Sequence, residues 1–272
     1  MLGVPKTETS APAQSSGNAL AGLEQAITDE LNAVAATQSG TQAPEALIEL
    51  EALDSPSALT RADNFEKLIT LGTGQAVKRE QVVEALISEV QSNAYDGNVT
   101  VSGHNLRTSL VALLDGVNSQ LGALVDSIST ATLTDVIRAD VTSINATTRI
   151  YGLVEPQIHL ALAGGDELSA LQNLTAQSKT LAAQIAAAGS TDPQYDRDLA
   201  LLQDLNQQIA SAGKTVNSTL STVLSLTASG FPGNKSSITA ARSALSAVRS
   251  PNGALGTALG DAAEISTDLG GA

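Results

Sequence analysis

The feature that most constrains this chain is a set of apolar stripes whose members step by three and four residues. One runs Leu106, Leu110, Leu113, Val117, Leu121, Leu124, Ile128. A second runs Ile137, Val141, Ile144, Thr148, Tyr151, then Ile158 and Leu162. A third runs Leu202, Leu205, Ile209, Ala212, Val216, Leu220, Val223, and the last runs Ile238, Ala241, Leu245, Val248, Leu255, Leu259, Ala262. Such alternation keeps one stripe turned toward a neighbouring helix, as in coiled coils and long bundles. It predicts an all-α fold: an elongated antiparallel bundle of long helices over 104–268, with an N-terminal cluster of shorter helices over 18–94. The two final helices, each about 33 residues, would be roughly 50 Å long at 1.5 Å per residue. Three helices over 166–188, 194–227 and 236–268 form the expected C-terminal unit.

The core of such a bundle is unusual in what it lacks. Aromatic residues are 2% of the chain and tryptophan is absent, so Leu, Val, Ile and Ala must fill the interior. That set suits closely spaced helices better than a deep ligand pocket, where aromatic side chains usually dominate.

Residues 1–17 are rich in Ser, Thr, Ala, Pro and Gly and read as a disordered tail or tether. The stretch "NALAGLEQAITDELNAVAA" follows, with Asn18 in the N-cap position and Leu23, Ile27, Leu31 and Val34 on one face. Pro44 opens "APEALIELEAL", and "SPSALTRADNFEKLITLG" and "QAVKREQVVEALISEVQSNA" complete this half as separate helices. The turn-rich "YDGNVTVSGHN" over 95–105 reads as a loop, its short "VTV" open to a two-residue β-bridge.

The stretch "RIYGLVEPQIHL" places Pro156 inside an apolar stripe that stays in phase on either side of it. Proline within a helix removes a hydrogen bond and clashes one turn back, so a kink is expected here. Further on, Gly164 and Gly165 stand where larger residues would continue the stripe. Either the chain turns at Gly164–Gly165, or one long bent helix runs from about 134 to 188. In both cases Tyr151, Glu155, Pro156, His159, Gly164 and Gly165 form a joint at which the stripe changes partner.

Chemistry finds little to work with. There is no cysteine, which removes disulfides, thiol catalysis and thiolate metal sites together. P-loop, GxGxxG, G-x-S-x-G and HExxH patterns are absent. His159 lies four residues after Glu155, so the two can face each other across a helical turn, but no nucleophile or second histidine is near in sequence. His104 sits in the loop. Asp96, Asn98 and Thr100 begin like a calcium loop, yet the sixth-position glycine is missing and Arg107 falls where a bidentate Glu is required. Asp192, Asp196 and Asp198 read as first-turn acids that favour a helix dipole. The sequence therefore predicts no catalytic residues, no cofactor and no metal.

With 14 basic against 28 acidic residues the formal net charge is −14, which repels nucleic acid and anionic membranes. No apolar run reaches the 18–20 residues or so that span a bilayer, so no transmembrane segment is expected. The N-terminus lacks the basic and apolar regions of a secretory signal, which fits a cytosolic protein or a mature exported form with a starting Met added.

The pieces "TTRIYGLVEPQIHLALAGGDEL" and "LSLTASGFPGNKSSITAARSAL", with the final helix around Arg242 and Leu245, resemble a set of uncharacterised, exported helical-bundle proteins of bacteria. The resemblance covers roughly 134–265. It implies a cell-surface or secreted location and brings no catalytic residues. The expected function is that of a non-enzymatic extracytoplasmic structural or interaction protein, a surface spacer or scaffold with a protein partner or self-association. Two alternatives stand beside it: a carrier of a lipid or other apolar ligand within the bundle, and a virion or particle component.

Overall fold

The computed structural model describes residues 62–93 and 98–270. The expected tail, the helices read over 18–61 and Asp96 lie outside the described residues. The fold is all-α. Its helices are α1 (Ala62–Ser92), α2 (Leu106–Thr130), α3 (Thr134–Ser143), α4 (Glu155–Ala188), α5 (Tyr195–Leu224), α6 (Asn234–Arg249) and α7 (Ala254–Gly270).

The longest pair in the C-terminal half, α4 and α5, shows how the stripes are used. At 34 and 30 residues these helices are about 51 and 45 Å long. Ser178 Oγ donates to Asn206 Oδ1 at 2.7 Å. A Cβ on Gly213 would lie 4.0 Å from Leu171 Cδ1, and one on Gly164 would lie 2.6 Å from Leu220 Cδ2. Positions 164, 171 and 178 on α4 thus meet 220, 213 and 206 on α5. Each seven-residue step up one helix matches seven down the other, the repeat of an antiparallel coiled coil. The third layer is α6 along one part of this pair and α7 along the other, with Ile238, Ala241, Leu245, Val248, Leu255, Ala258, Ala262 and Ile265 buried.

The stripe predicts that third layer as one helix over 236–268, but Pro251 divides it. Residues preceding proline avoid the α region, and Ser250 is extended at φ −56°, ψ 155°. The turn is tight: a Cβ on Gly253 would collide with the carbonyl oxygens of Ala247 and Val248.

In the other half, α1 runs antiparallel to α2. Arg107 donates to the Asn93 carbonyl at one end, and a Cβ on Gly72 would lie 3.2 Å from Ile128 Cγ2 at the other. The two helices expected over 55–94 are, within the described residues, one 31-residue helix. Gly72 looks like a stop signal but serves close packing, since its Cβ would also lie 3.1 Å from Val141 Cγ2 of α3. A glycine costs a helix interior about 1 kcal/mol against alanine, and the approach of three helices offsets that cost here.

The loop expected over 95–105 contains a small antiparallel hairpin, β1 (Thr100–Val101) with β2 (His104–Asn105). Ser102 and Gly103 take φ values of +52° and +82°, the left-handed pair that a two-residue hairpin turn requires. Asn105 then caps α2, its Oδ1 accepting from the Thr108 N–H at 3.0 Å.

The break between α3 and α4 is at Arg149, not at the glycines. Arg149 is left-handed (φ 46°, ψ 41°), flanked by π-helical turns over Ile144–Thr148 and Ile150–Val154. Its guanidinium stacks over the Phe231 ring at 4.3 Å, which holds the unusual conformation in place. Pro156 falls in the first turn of α4, directly after the π-helical turn Ile150–Val154, where a missing N–H costs little. Gly164 and Gly165 lie inside continuous helix, which excludes the turn there and replaces the single bent helix over 134–188 with two helices.

Candidate functional site

The first half of α4 is where the two halves of the fold meet, and it is buried on every side from Pro156 through Leu168. Its polar residues are therefore the unusual ones. Gln157, 1% exposed, donates from Nε2 to the Val223 carbonyl at 2.7 Å. It adds a side-chain donor to a carbonyl at the end of α5 that also accepts from the Leu226 N–H at 3.2 Å.

His159, 8% exposed, stands between two carboxylates. Its Nδ1 lies 3.4 Å from Glu89 Oε1 of α1, and its Nε2 lies 4.0 Å from Glu155 Oε1 one turn back. These groups line one end of a groove of about 510 Å³ with Lys78, Val82, Leu86 and Tyr151. Arg79 reaches over the Tyr151 ring at 5.6 Å. Burial pushes the Glu155 carboxyl upward; His159 pulls it down and Glu89 adds to the rise. A neutral imidazole can donate to one carboxylate, and a protonated one can bridge both, so this cluster ties α1 to α4 most firmly when His159 is charged.

Of the expected joint residues, Tyr151, Glu155 and His159 converge on this groove, while Pro156 and Gly164 pack inside the bundle. Glu89 carries no signal in the sequence, because it lies 70 residues from His159 on a different helix. His104 is in β2, and its Nδ1 lies 3.1 Å from the Ser102 carbonyl oxygen within the same hairpin. Thr100 belongs to β1. Among the described residues, no group of three or more His, Asp or Glu side chains is arranged to hold a metal ion.

Two further acidic sets carry no sequence signature. Asp166 and Glu167 are both 0% exposed. The Glu167 carboxyl is held well above the usual carboxylate range, first by burial, with Arg249 opposing and Asp166 adding to the rise. Asp196 and Asp198 stand in the first turn of α5 as expected, and Asp198 is also buried there. Asp192 does act as a local turn former, accepting from the Gln194 N–H at 2.8 Å.

No protein-family model, curated protein or solved structure matches this chain.

Proposed function

We propose that the chain is a non-enzymatic structural or interaction protein that works outside the cytoplasm and binds a protein partner through a helical face. The observation that carries this reading is α2. Its most apolar 18-residue stretch has a mean hydropathy of 1.2, yet only 17% of that stretch is buried. Leu106, Leu110, Leu114, Leu121 and Ile128 face the core. Val111, Leu113, Val117, Leu124 and Val125 are half-buried along the two margins of that core face, leaving apolar edges open on a chain of net charge −14. A partner helix laid along such an edge would cover it. By length and composition α2 is also able to cross a bilayer, but its inner face is already packed on α1.

A photo-crosslinking residue placed at exposed Ala112 or Ala123 tests the reading in the native host. The expected result is a product of one discrete mass, weakened by Leu113→Gln together with Val117→Gln and absent when the crosslinker sits at exposed Gln172 of α4. Equal labelling from all three positions, or none, contradicts it. Cell fractionation in the same experiment checks the location.

The groove beside His159 favours a second reading, carriage of a small apolar ligand, with Val82, Ala85, Leu86 and Tyr151 as its apolar wall. Native mass spectrometry of protein from its own host separates the two, since a carrier retains a small molecule.

A further inference from the structure

Charge is divided unevenly along this chain. Residues 168–191 and 205–260 contain no Asp or Glu, in a protein with 28 acidic residues and a net charge of −14. These stretches supply α4 beyond Glu167, α5 beyond Asp204 and the whole of α6. Every charged side chain on them is basic: Lys179, Lys214, Lys235, Arg242 and Arg249. α6 alone carries the last three.

Those three cations stand seven residues apart, so they share one face of the helix and repeat about every 10 Å along it. Their neighbours differ. Lys235 is exposed, and its Nζ lies 5.2 Å from the centre of the Phe231 ring on which Arg149 also stacks at 4.3 Å. Arg242 is half-buried, and Arg249 acts on the buried Glu167. Among the described residues, Arg149, Lys235 and Arg242 make no ion pair, and Arg149 Nε is buried without a hydrogen-bond partner. Asp166 and Glu167 are 0% exposed inside the bundle; the acids of α5 stop at Asp204, and those of α7 begin at Asp261. The outer side of α6 exposes Ser236, Ala240, Ser243 and Ala247, spaced by four and three residues as in helix-to-helix seams. Side chains this small allow a second helix to come close.

We infer that α6 is a docking face for an acidic helix of a partner protein, which lies along Ser236–Ala247 and sets carboxylates against Lys235 and Arg242. Charged residues flanking a helical seam choose its partner in this way. A single helix fits within the acid-free strip, whereas a membrane or a long polyanion would also meet the acidic remainder of the chain. This is a second contact face, separate from the edges of α2.

Fluorescence anisotropy with the full chain tests this. The probe is a labelled, alanine-rich helical peptide of about three heptads with glutamates flanking its seam. The expected result is saturable binding that weakens as salt is added. Lys235→Glu with Arg242→Glu is expected to weaken it at least about tenfold. Lys67→Glu with Lys78→Glu, exposed on α1, changes the net charge equally and is expected to bind within about twofold of the wild type. If the α6 reversal misfolds, Lys235→Gln with Arg242→Gln replaces it, with a smaller loss expected. No binding, an equal loss in the α1 control, or equally tight binding of a DNA duplex or phosphatidylglycerol vesicles overturns the proposal. So does dimerisation of the chain alone that the α6 reversal abolishes, which would assign the face to a second copy.

Discussion

Gly164 faces Leu220 across the α4–α5 seam so closely that a Cβ on the glycine would stand 2.6 Å from Leu220 Cδ2 and 2.9 Å from its Cγ. Leu220 is itself fully buried, so it has little freedom to retreat. Gly164→Ala therefore adds a methyl group to a full interior, at a cost of about 1–3 kcal/mol that outweighs the gain of about 1 kcal/mol in helix propensity. Chemical denaturation is expected to show a net loss of stability. Gly116→Ala, where nothing lies within 4 Å, is the control and is expected to gain stability. Leu220→Val combined with Gly164→Ala should recover part of the loss.

Gly253 meets backbone rather than a side chain, and backbone cannot rotate away. Gly253→Ala is expected to lower the melting temperature more than Gly164→Ala does, and to unseat α7 before the α4–α5 pair. Limited proteolysis followed by mass spectrometry would place the first cut within 250–270.

The Glu167 carboxyl lies fully buried and is held well above its ordinary range, mainly by desolvation. A group whose folded pKa is raised supports folding in acid, and that support is lost as pH rises through the folded value. Glu167→Gln is thus expected to stabilise the protein at pH 8, by about 1–3 kcal/mol, because the neutral amide carries no charge to bury. Near pH 4 it should have little effect. Urea melts at the two pH values measure this; equal effects at both would contradict the assignment.

Gln157 is the counter-example, a buried polar residue whose amide is used. Gln157→Leu is expected to cost about 1 kcal/mol by removing a buried hydrogen bond between α4 and the end of α5. Gln157→Glu should cost more at neutral pH, because it sets a carboxylate against carbonyl oxygens. If both variants matched the wild type, the hydrogen bond at 2.7 Å would have no energetic role.

The helices and their facing residues are legible in the sequence. Ile137, Val141, Ile144, Leu205, Val216, Leu245 and their neighbours stand at stripe positions and are buried as that spacing requires. Breaks are harder to read, because a local signal can be cancelled by a distant contact. Gly72 and Gly164 look like helix ends and are packing sites; Arg149 looks like helix and is left-handed, with its guanidinium over Phe231, 82 positions later. Pro251 is the opposite case, a plain local signal hidden by a stripe that stays in phase across it. At the candidate site, Glu155 and His159 are legible as an i, i+4 pair. Glu89 is not, since it meets His159 only where α1 packs against α4.

The packing register of α4 on α5 organises the C-terminal half of the fold, and spin labels can measure it because the chain has no cysteine of its own. Cysteine pairs at Asn173 with Ser211, Thr180 with Asp204, and Ala187 with Arg197 follow the observed register up one helix and down the other. Pulsed electron paramagnetic resonance on the three labelled pairs is expected to return nearly equal distances. Axial offsets that change by about 20 Å per step, twice the rise of seven helical residues, would contradict the antiparallel seam.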